Sequence, residues 1–370
     1  MARPTVAEIR LSALQHNFHA LRALLPPRTG ILGVVKANGY GHGAVPVARS
    51  LEAAGARMLG VATVEEGVEL RVAGVRLPLV VLGGVEPSQA EEAHAHGLSA
   101  VLFDRAQAAY LAREAGKAGR PFPVHVKVDT GMGRLGILPR EAAGLLAELS
   151  GSREIRLEGW MTHLSSADGP AAEDREYTEA QLRVFSDGLP AVRAAVGAGV
   201  AVHALNSAGI LGFREEPFDV VRPGLALYGC SPLSADAGVS LRPVMRIVTQ
   251  VVSLKELPDG HPVSYNRRYR CSGARRIAVV PIGYADGYRR GLTGQARMAV
   301  EGKTAPVAGT ICMDHTMLDV TGIHGVRVGS SVEVMGEASL SAPGMARLCG
   351  TIPYEILTQV GFRIPRVAVD

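Results

Sequence analysis

Short apolar runs recur through the first 230 or so residues, each followed by a stretch with helical spacing. The strand candidates are Ile31–Val35, Met58–Ala62, Leu79–Leu82, Ala100–Phe103, Val124–Val128, Leu157–Met161, Val202–Leu205 and Val220–Arg222. Between them, Thr63-Val64-Glu65-Glu66 has the form of a capping box. It predicts a helix whose apolar stripe is Val64, Val68 and Val72 and which Gly74 stops. Leu182, Phe185 and Leu189 mark another such stripe. Repeated βα units predict a parallel sheet, and about eight of them a closed barrel; an open doubly wound sheet is the alternative.

After Tyr228-Gly229 the texture changes to short strands separated by Gly, Pro and Asp turns. Val244–Leu254, Arg276–Pro281, Met298–Val300, Ala305–Ala308, Met317–Val320 and Ser331–Met335 read as strands, with one helix near Ala342–Leu348. The expected fold class is α/β, an N-terminal (β/α)8 barrel over residues 1–235 followed by a mostly-β domain over residues 236–370. The boundary is placed in Ser234-Ala235-Asp236-Ala237-Gly238.

Composition adds little to this picture. The 370 residues carry a formal net charge of +4 and are 47% hydrophobic, enough for a large core and too evenly charged for a nucleic-acid stripe. The Arg267–Arg268 and Arg289–Arg290 pairs read as solvated surface. The four cysteines form no C-x-x-C pair, so no metal cage is expected. Neither a signal core nor an apolar run long enough to span a bilayer is seen, which makes the cytoplasm the expected compartment.

The active site of a βα barrel lies where its strands end. The first run stops at Lys36. Burial there lowers the pKa of an amine and makes it a nucleophile that forms Schiff bases; a head group reaching back to solvent is the plain alternative. The fifth run leads into Lys127-Val128-Asp129-Thr130-Gly131-Met132-Gly133-Arg134-Leu135-Gly136. That segment contains a G-x-G-x-x-G, read here as a turn that presents Arg134, with dinucleotide binding as the alternative. The sixth ends at His163, the seventh at Asn206-Ser207, and the eighth at Arg222-Pro223-Gly224. Segments after strands seven and eight are where barrels commonly bind phosphate. A nucleophilic lysine beside a phosphate cup points to a phosphorylated aldehyde cofactor, and pyridoxal phosphate meets both demands.

These segments resemble the alanine racemase family over nearly the whole chain. The matches include Val35-Lys36-Ala37-Asn38-Gly39-Tyr40-Gly41-His42-Gly43, Lys127 to Gly136, Met161-Thr162-His163 and Val221-Arg222-Pro223-Gly224-Leu225. Later come Val263-Ser264-Tyr265, Pro281-Ile282-Gly283-Tyr284-Ala285-Asp286-Gly287-Tyr288, Ile311-Cys312-Met313-Asp314 and Thr351-Ile352-Pro353-Tyr354-Glu355. The resemblance implies a pyridoxal 5'-phosphate enzyme that interconverts L- and D-alanine, supplies D-alanine for peptidoglycan, and works as a homodimer with shared active sites. It implies Lys36 and Tyr265 as the two acid/base groups, Tyr265 coming from the partner. Lys36, Tyr40, His163, Asn206, Ser207, Arg222, Gly224, Leu225 and Tyr354 are implied cofactor contacts, with Arg222 on the pyridine nitrogen and joined to His163 in a chain of positive groups. Arg134, Met313 and Tyr284 are implied substrate contacts, and Lys127 a carbamylated lysine that orients Arg134. Departures from the family pattern are Gly39, Arg289 and Asn266-Arg267-Arg268. A racemase of broader specificity, a fold-related decarboxylase and a non-catalytic cofactor-binding barrel are the competing functions.

Overall fold

The computed structural model describes residues 3–213, 218–233 and 238–370. Of the expected boundary segment, Ser234 to Gly238, residues 234–237 lie outside them. By contacts the chain forms two units: Leu14–Gly39 with Ala44–Leu241, and a second made of the segment up to Ala13, Tyr40–Gly43 and Arg242–Asp370.

The first unit is a closed barrel. Val6–Arg10 (β1) belongs to the other unit, so the barrel strands are Gly30–Val34 (β2), Met58–Val61 (β3), Leu79–Val81 (β4), Leu98–Leu102 (β5), Phe122–Lys127 (β6), Ile155–Met161 (β7), Ala201–Asn206 (β8) and Val220–Arg222 (β9). All pair in parallel, and Gly30↔Val220 with Ile31↔Val221 closes the ring. These are the eight apolar runs of the sequence, with bounds shifted by a few residues. Leu98–Leu102 and Phe122–Lys127 are buried from end to end, polar Ser99, His125 and Lys127 included, whereas Ile155–Met161 is partly exposed in its first half. One helix differs from its expected face. Val64–Val72 buries Val64, Gly67 and Leu70, while Val72 is 76% exposed. Gly67 faces the Leu98 side chain at a distance that leaves no room for a methyl group, and this close approach turns the helix away from a valine stripe.

In the second unit a six-stranded sheet runs in the order Lys303–Pro306, Arg297–Val300, Ser331–Met335, Met245–Gln250 (β10), β1, Arg366–Val369. A three-stranded sheet joins Ser253–Leu257, Arg275–Val280 and Thr316–Asp319. The sequence reads Val244–Leu254 as one strand. It divides because Val251 N donates to Ser330 O and Val252 N to Val279 O, so the backbone changes sheets there. The sequence also places residues 1–13 with the barrel. Instead β1 pairs antiparallel with β10 (Ala7↔Ile247) and parallel with Arg366–Val369 (Ala7↔Arg366). Ile9 and Ala7 are buried on one face of it, and its other face alternates outward.

Candidate active site

Lys36 directly follows the last buried residue of the first barrel run, Val35, whose N–H is held by Gly60 O. The chain then makes a left-handed turn: Ala37, Asn38, Gly39 and Tyr40 have φ of 52°, 54°, 59° and 52°. Consecutive L-residues in this region carry strain, of order 1 kcal/mol each. Gly39, where the family often has alanine, is the one member that adopts it freely. Gly39 N donates to Val35 O (2.7 Å), Ala44 N to the Asn38 side chain (2.8 Å) and Ala37 N to Glu66 Oε1 (2.7 Å). Burial pulls the Lys36 pKa down, the Arg134 charge adds to this, and Glu66 opposes it.

Lys127 ends β6 and is buried; burial first, then Arg134 and Arg222, push its pKa down to about 8. The following loop is pinched shut by Ile137 N to Lys127 O and Asp129 N to Ile137 O, both 2.9 Å. Asp129 Oδ1 accepts the N–H groups of Gly131, Met132 and Gly133 at 2.8–3.1 Å. Burial raises the Asp129 pKa, but these backbone donors outweigh it and hold the carboxyl below its ordinary value. Tyr177 donates its hydroxyl to Gly131 O (2.6 Å). The G-x-G-x-x-G is therefore a carboxylate-centred loop. Its product is an exposed Arg134 whose charge acts on Lys36, Lys127 and His163.

Arg222, at the end of β9, is buried and donates in several directions. Nη1 reaches His203 O (2.7 Å) and His203 Nδ1 (3.2 Å), and Nη2 reaches Thr162 O (2.6 Å), Ala204 O (3.0 Å) and His163 Nδ1 (3.3 Å). Beyond it, His203 Nε2 lies 2.9 Å from His125 Nδ1 inside the barrel. Burial and the Arg222 charge hold His163 and His203 well below the ordinary histidine pKa. Burial takes His125 down to about 4. Arg222 and His163 are thus in the contact expected of them, and burial together with the Arg222 charge disfavours the charged form of each imidazole. A charged ring beside a guanidinium is costly, most of all at His203 and His125, which are fully buried. His125 and His203 escaped the sequence reading. Their one signal was a polar residue set inside each of two apolar strands.

Ser207 Oγ accepts from Gly224 N (2.9 Å) and Ala226 N (3.2 Å). Both lone pairs are thereby used, and the hydroxyl proton is left to donate elsewhere. Asn206 caps the helix Ser207–Gly212 through its own side chain, accepting from Gly209 N at 2.9 Å. Leu225 opens a turn of 3-10 helix, Leu225–Tyr228. Lys36, Lys127, Arg134, His163, Asn206, Ser207, Arg222, Gly224 and Leu225 all stand at or just past the carboxyl ends of barrel strands.

The other expected residues are in the β unit. Tyr40 and Tyr354 lie with ring centroids 5.8 Å apart. Burial raises the Tyr40 pKa, and Tyr354 adds to it. Tyr265 is 66% exposed, Met313 52% and Tyr284 42%. Tyr284 N and Ala285 N donate to Cys312 O and Met313 O, both at 3.1 Å. Thr310 donates to Tyr265 O and receives a bond from Ser264 at its carbonyl. These bonds join the segments that carry the three exposed side chains into one backbone network. Buried Asp286 anchors it through Arg3 and Arg363, and Arg363 also holds Asp314. Arg289, a departure from the family pattern, pairs with Glu355 (2.8 Å) and Gln359 (2.6 Å) beside Tyr354.

Comparison with known proteins agrees with this arrangement. Residues 9–232 match the family described as "Alanine racemase, N-terminal domain" and residues 244–368 "Alanine racemase, C-terminal domain". The chain is 43% identical to an alanine racemase of Halothermothrix orenii, over 99% of this chain and 97% of that one. It superposes on an alanine racemase from a D-cycloserine-producing Streptomyces lavendulae with a TM-score of 0.91 at 34% identity, covering 100% of this chain and 98% of that one. With the Bacillus anthracis alanine racemase crystallised with L-Ala-P the TM-score is 0.88 at 33% identity, covering 100% and 96%. A barrel with a lysine at the end of its first strand, an arginine at the end of its last, and matches to both family domains make this chain a member of the alanine racemase family of pyridoxal-phosphate-dependent isomerases.

Proposed function

We propose that the protein interconverts L- and D-alanine, with Lys36 as the cofactor lysine and as one of two acid/base groups. The observation that carries this is the partly desolvated Lys36 amine at a barrel mouth shared with Arg134 and Arg222. The residues present fit pyridoxal phosphate. The Arg134 charge acts on Lys36 and Lys127, the Arg222 charge acts on Lys127, and the carboxylates acting on the two lysines are Glu66 and Asp129. Such a mouth favours a multiply charged anion. The Ser207 hydroxyl, with its proton left to donate, and the Gly224–Leu225 backbone would hold the phosphate, together with the Asn206 turn. Tyr40 and Tyr354 join that set on family grounds. Arg222 would face the pyridine nitrogen, and His163 would flank the ring.

Bound there, pyridoxal phosphate supplies the electron sink that makes a substrate Cα proton removable. Inversion needs a proton base on each face. Burial and the Arg134 charge favour the uncharged Lys36 amine, the form that would accept a proton on its face and return it. Tyr265 of a second copy of this chain would serve the opposite face. The exposure of Tyr265, Tyr284 and Met313, on segments bonded to one another, supports a homodimer with shared sites, since large apolar groups left on a surface mark an interface. Arg134 would pair with the substrate carboxylate, helped by Met313 of the second copy. Lys127, desolvated and beside Arg134, is suited to carbamylation. An uncharged amine adds carbon dioxide and loses a proton, and the resulting anion would orient the guanidinium. On family grounds the enzyme acts in the cytoplasm and supplies D-alanine for peptidoglycan; no described helix is long and apolar enough to cross a membrane.

The test is incubation of purified protein with single enantiomers of alanine, serine and lysine in deuterated water, read by proton NMR and chiral chromatography. Exchange with inversion, fastest for alanine, is expected. Equal rates on serine or lysine would widen the specificity, and loss of the carboxylate would replace the reading with a decarboxylase.

A further inference from the structure

Glu66 occupies the third position of the helix Val64–Val72, where a capping-box glutamate turns back to the backbone N–H of its own cap residue, Thr63. Half of that box is present: the Thr63 hydroxyl accepts from Glu66 N at 3.4 Å. The carboxylate, however, goes elsewhere. Oε2 accepts from Ala62 N at 2.7 Å, and Oε1 accepts from Ala37 N, also at 2.7 Å. One side chain thus ties the end of the second barrel run to the residue that follows Lys36.

We infer that Glu66 is a positioning residue for Lys36, holding the strained left-handed turn that aims the lysine into the barrel mouth. The inference rests on the reading of Lys36 as the cofactor lysine. Ala37 is the first of four consecutive residues with φ between 52° and 59°. Such a backbone persists only when its surroundings over-determine it. Asn38 fixes the far side through Ala44 N, and Gly39 N closes the turn on Val35 O. At the lysine itself, the Glu66 bond to Ala37 N is the restraint. A carboxylate is required for geometric reasons, because it presents an acceptor to each of two N–H donors. A glutamine offers one acceptor and sets its NH2 against the second donor. Its charge also opposes the fall in the Lys36 pKa caused by burial and Arg134, so Glu66 sets the amine's basicity as well as its direction.

The experiment compares the holoenzyme with Glu66→Ala and Glu66→Gln. Borohydride reduction followed by peptide mass mapping locates the covalently held cofactor, dialysis measures its loss, and turnover is expressed per bound cofactor across pH. Trapping on Lys36 is expected in the parent enzyme. In Glu66→Ala the cofactor should leave faster and turnover per bound cofactor should fall, each by about 10- to 100-fold, the effect of losing charge-assisted hydrogen bonds to two amides. The limb of the pH profile that reports Lys36 should move to lower pH. Glu66→Gln should fall between the two and keeps the test open if the alanine variant does not fold. Trapping on Lys36 with unchanged retention, turnover and pH profile in both variants would overturn the role of Glu66 alone. So would a lower melting temperature with turnover per bound cofactor intact. Trapping on a different lysine in the parent enzyme would overturn the Lys36 reading, and this inference with it.

Discussion

Nη1 of Arg222 lies 3.2 Å from Nδ1 of His203, and because a guanidinium only donates, that contact fixes where His203 carries its proton. His203 must be protonated on Nε2, which then donates to His125 Nδ1 at 2.9 Å. His125 in turn keeps its proton on Nε2. Arg222 Nη2, whose N–H groups face Thr162 O and Ala204 O, also lies 3.3 Å from His163 Nδ1 and disfavours a proton on that nitrogen. One buried cation thus orients the His203–His125 pair and favours the neutral form of the rings beside it.

Neutral buried histidines make the fold sensitive to acid. The unfolded chain binds a proton at His125 near its ordinary value of 6.5, the folded one only near 4. Protons are therefore taken up on unfolding between these values, and the stability from this group is complete above 6.5 and gone by about 4. His163 and His203 shift in the same direction. The thermal midpoint should fall by about 5 °C or more between pH 7 and pH 4.5. Scanning calorimetry across that range checks it, and a flat profile would contradict the neutral-histidine arrangement.

The His125 ring occupies space that only a glycine neighbour leaves free. A Cβ on Gly159 would lie 1.9 Å from His125 Nδ1. Gly159→Ala should cost about 1–3 kcal/mol through overpacking. Part of that loss should disappear in a His125→Ala background, a coupling that a double-mutant denaturation cycle measures.

Asp129 organises the loop that carries Arg134. Asp129→Ala removes the shared acceptor of three amides and should raise KM for alanine about 10-fold, with a smaller change in kcat, because substrate binding loses its oriented guanidinium. Asp129→Asn keeps an oxygen at that point and should recover most of the loss. Steady-state kinetics on the three proteins distinguish this from a general loss of structure, which would lower kcat and KM performance alike in both variants.

A shared site has a signature in mixtures. Lys36→Ala and Tyr265→Ala should each be nearly inactive. After the two are dissociated and reassociated together, half the dimers would be mixed and would hold one intact site of two. Activity should return to about a quarter of the parent level. If each site is built within one chain, the mixture stays inactive.

The sequence was most legible where burial is total. The eight barrel strands are rich in apolar residues because their outer face packs against helices and their inner face fills the barrel, and polar residues take over where they end. Lys36, His163, Ser207 and Arg222 were therefore readable as strand-end residues. Elements paired across long stretches of chain were not. β1 alternates weakly, and both of its partners lie more than 200 residues away. His125 and His203 looked like interruptions of apolar strands, because neither names its partner. Glu66 matched a helix-capping pattern so well that its link to Ala37 could not be foreseen.

The placement of β1 has a consequence for how the chain is made. Val6–Arg10 leaves the ribosome early, yet its two neighbours, Met245–Gln250 and Arg366–Val369, are among the later parts of the sequence to be synthesised. The barrel strands all lie between them and can close as soon as Val220–Arg222 emerges. During translation the first strand waits with both edges unpaired, a form in which strands recruit wrong partners. The step at which a nascent chain of this protein most needs shelter is therefore the late capture of Val6–Arg10.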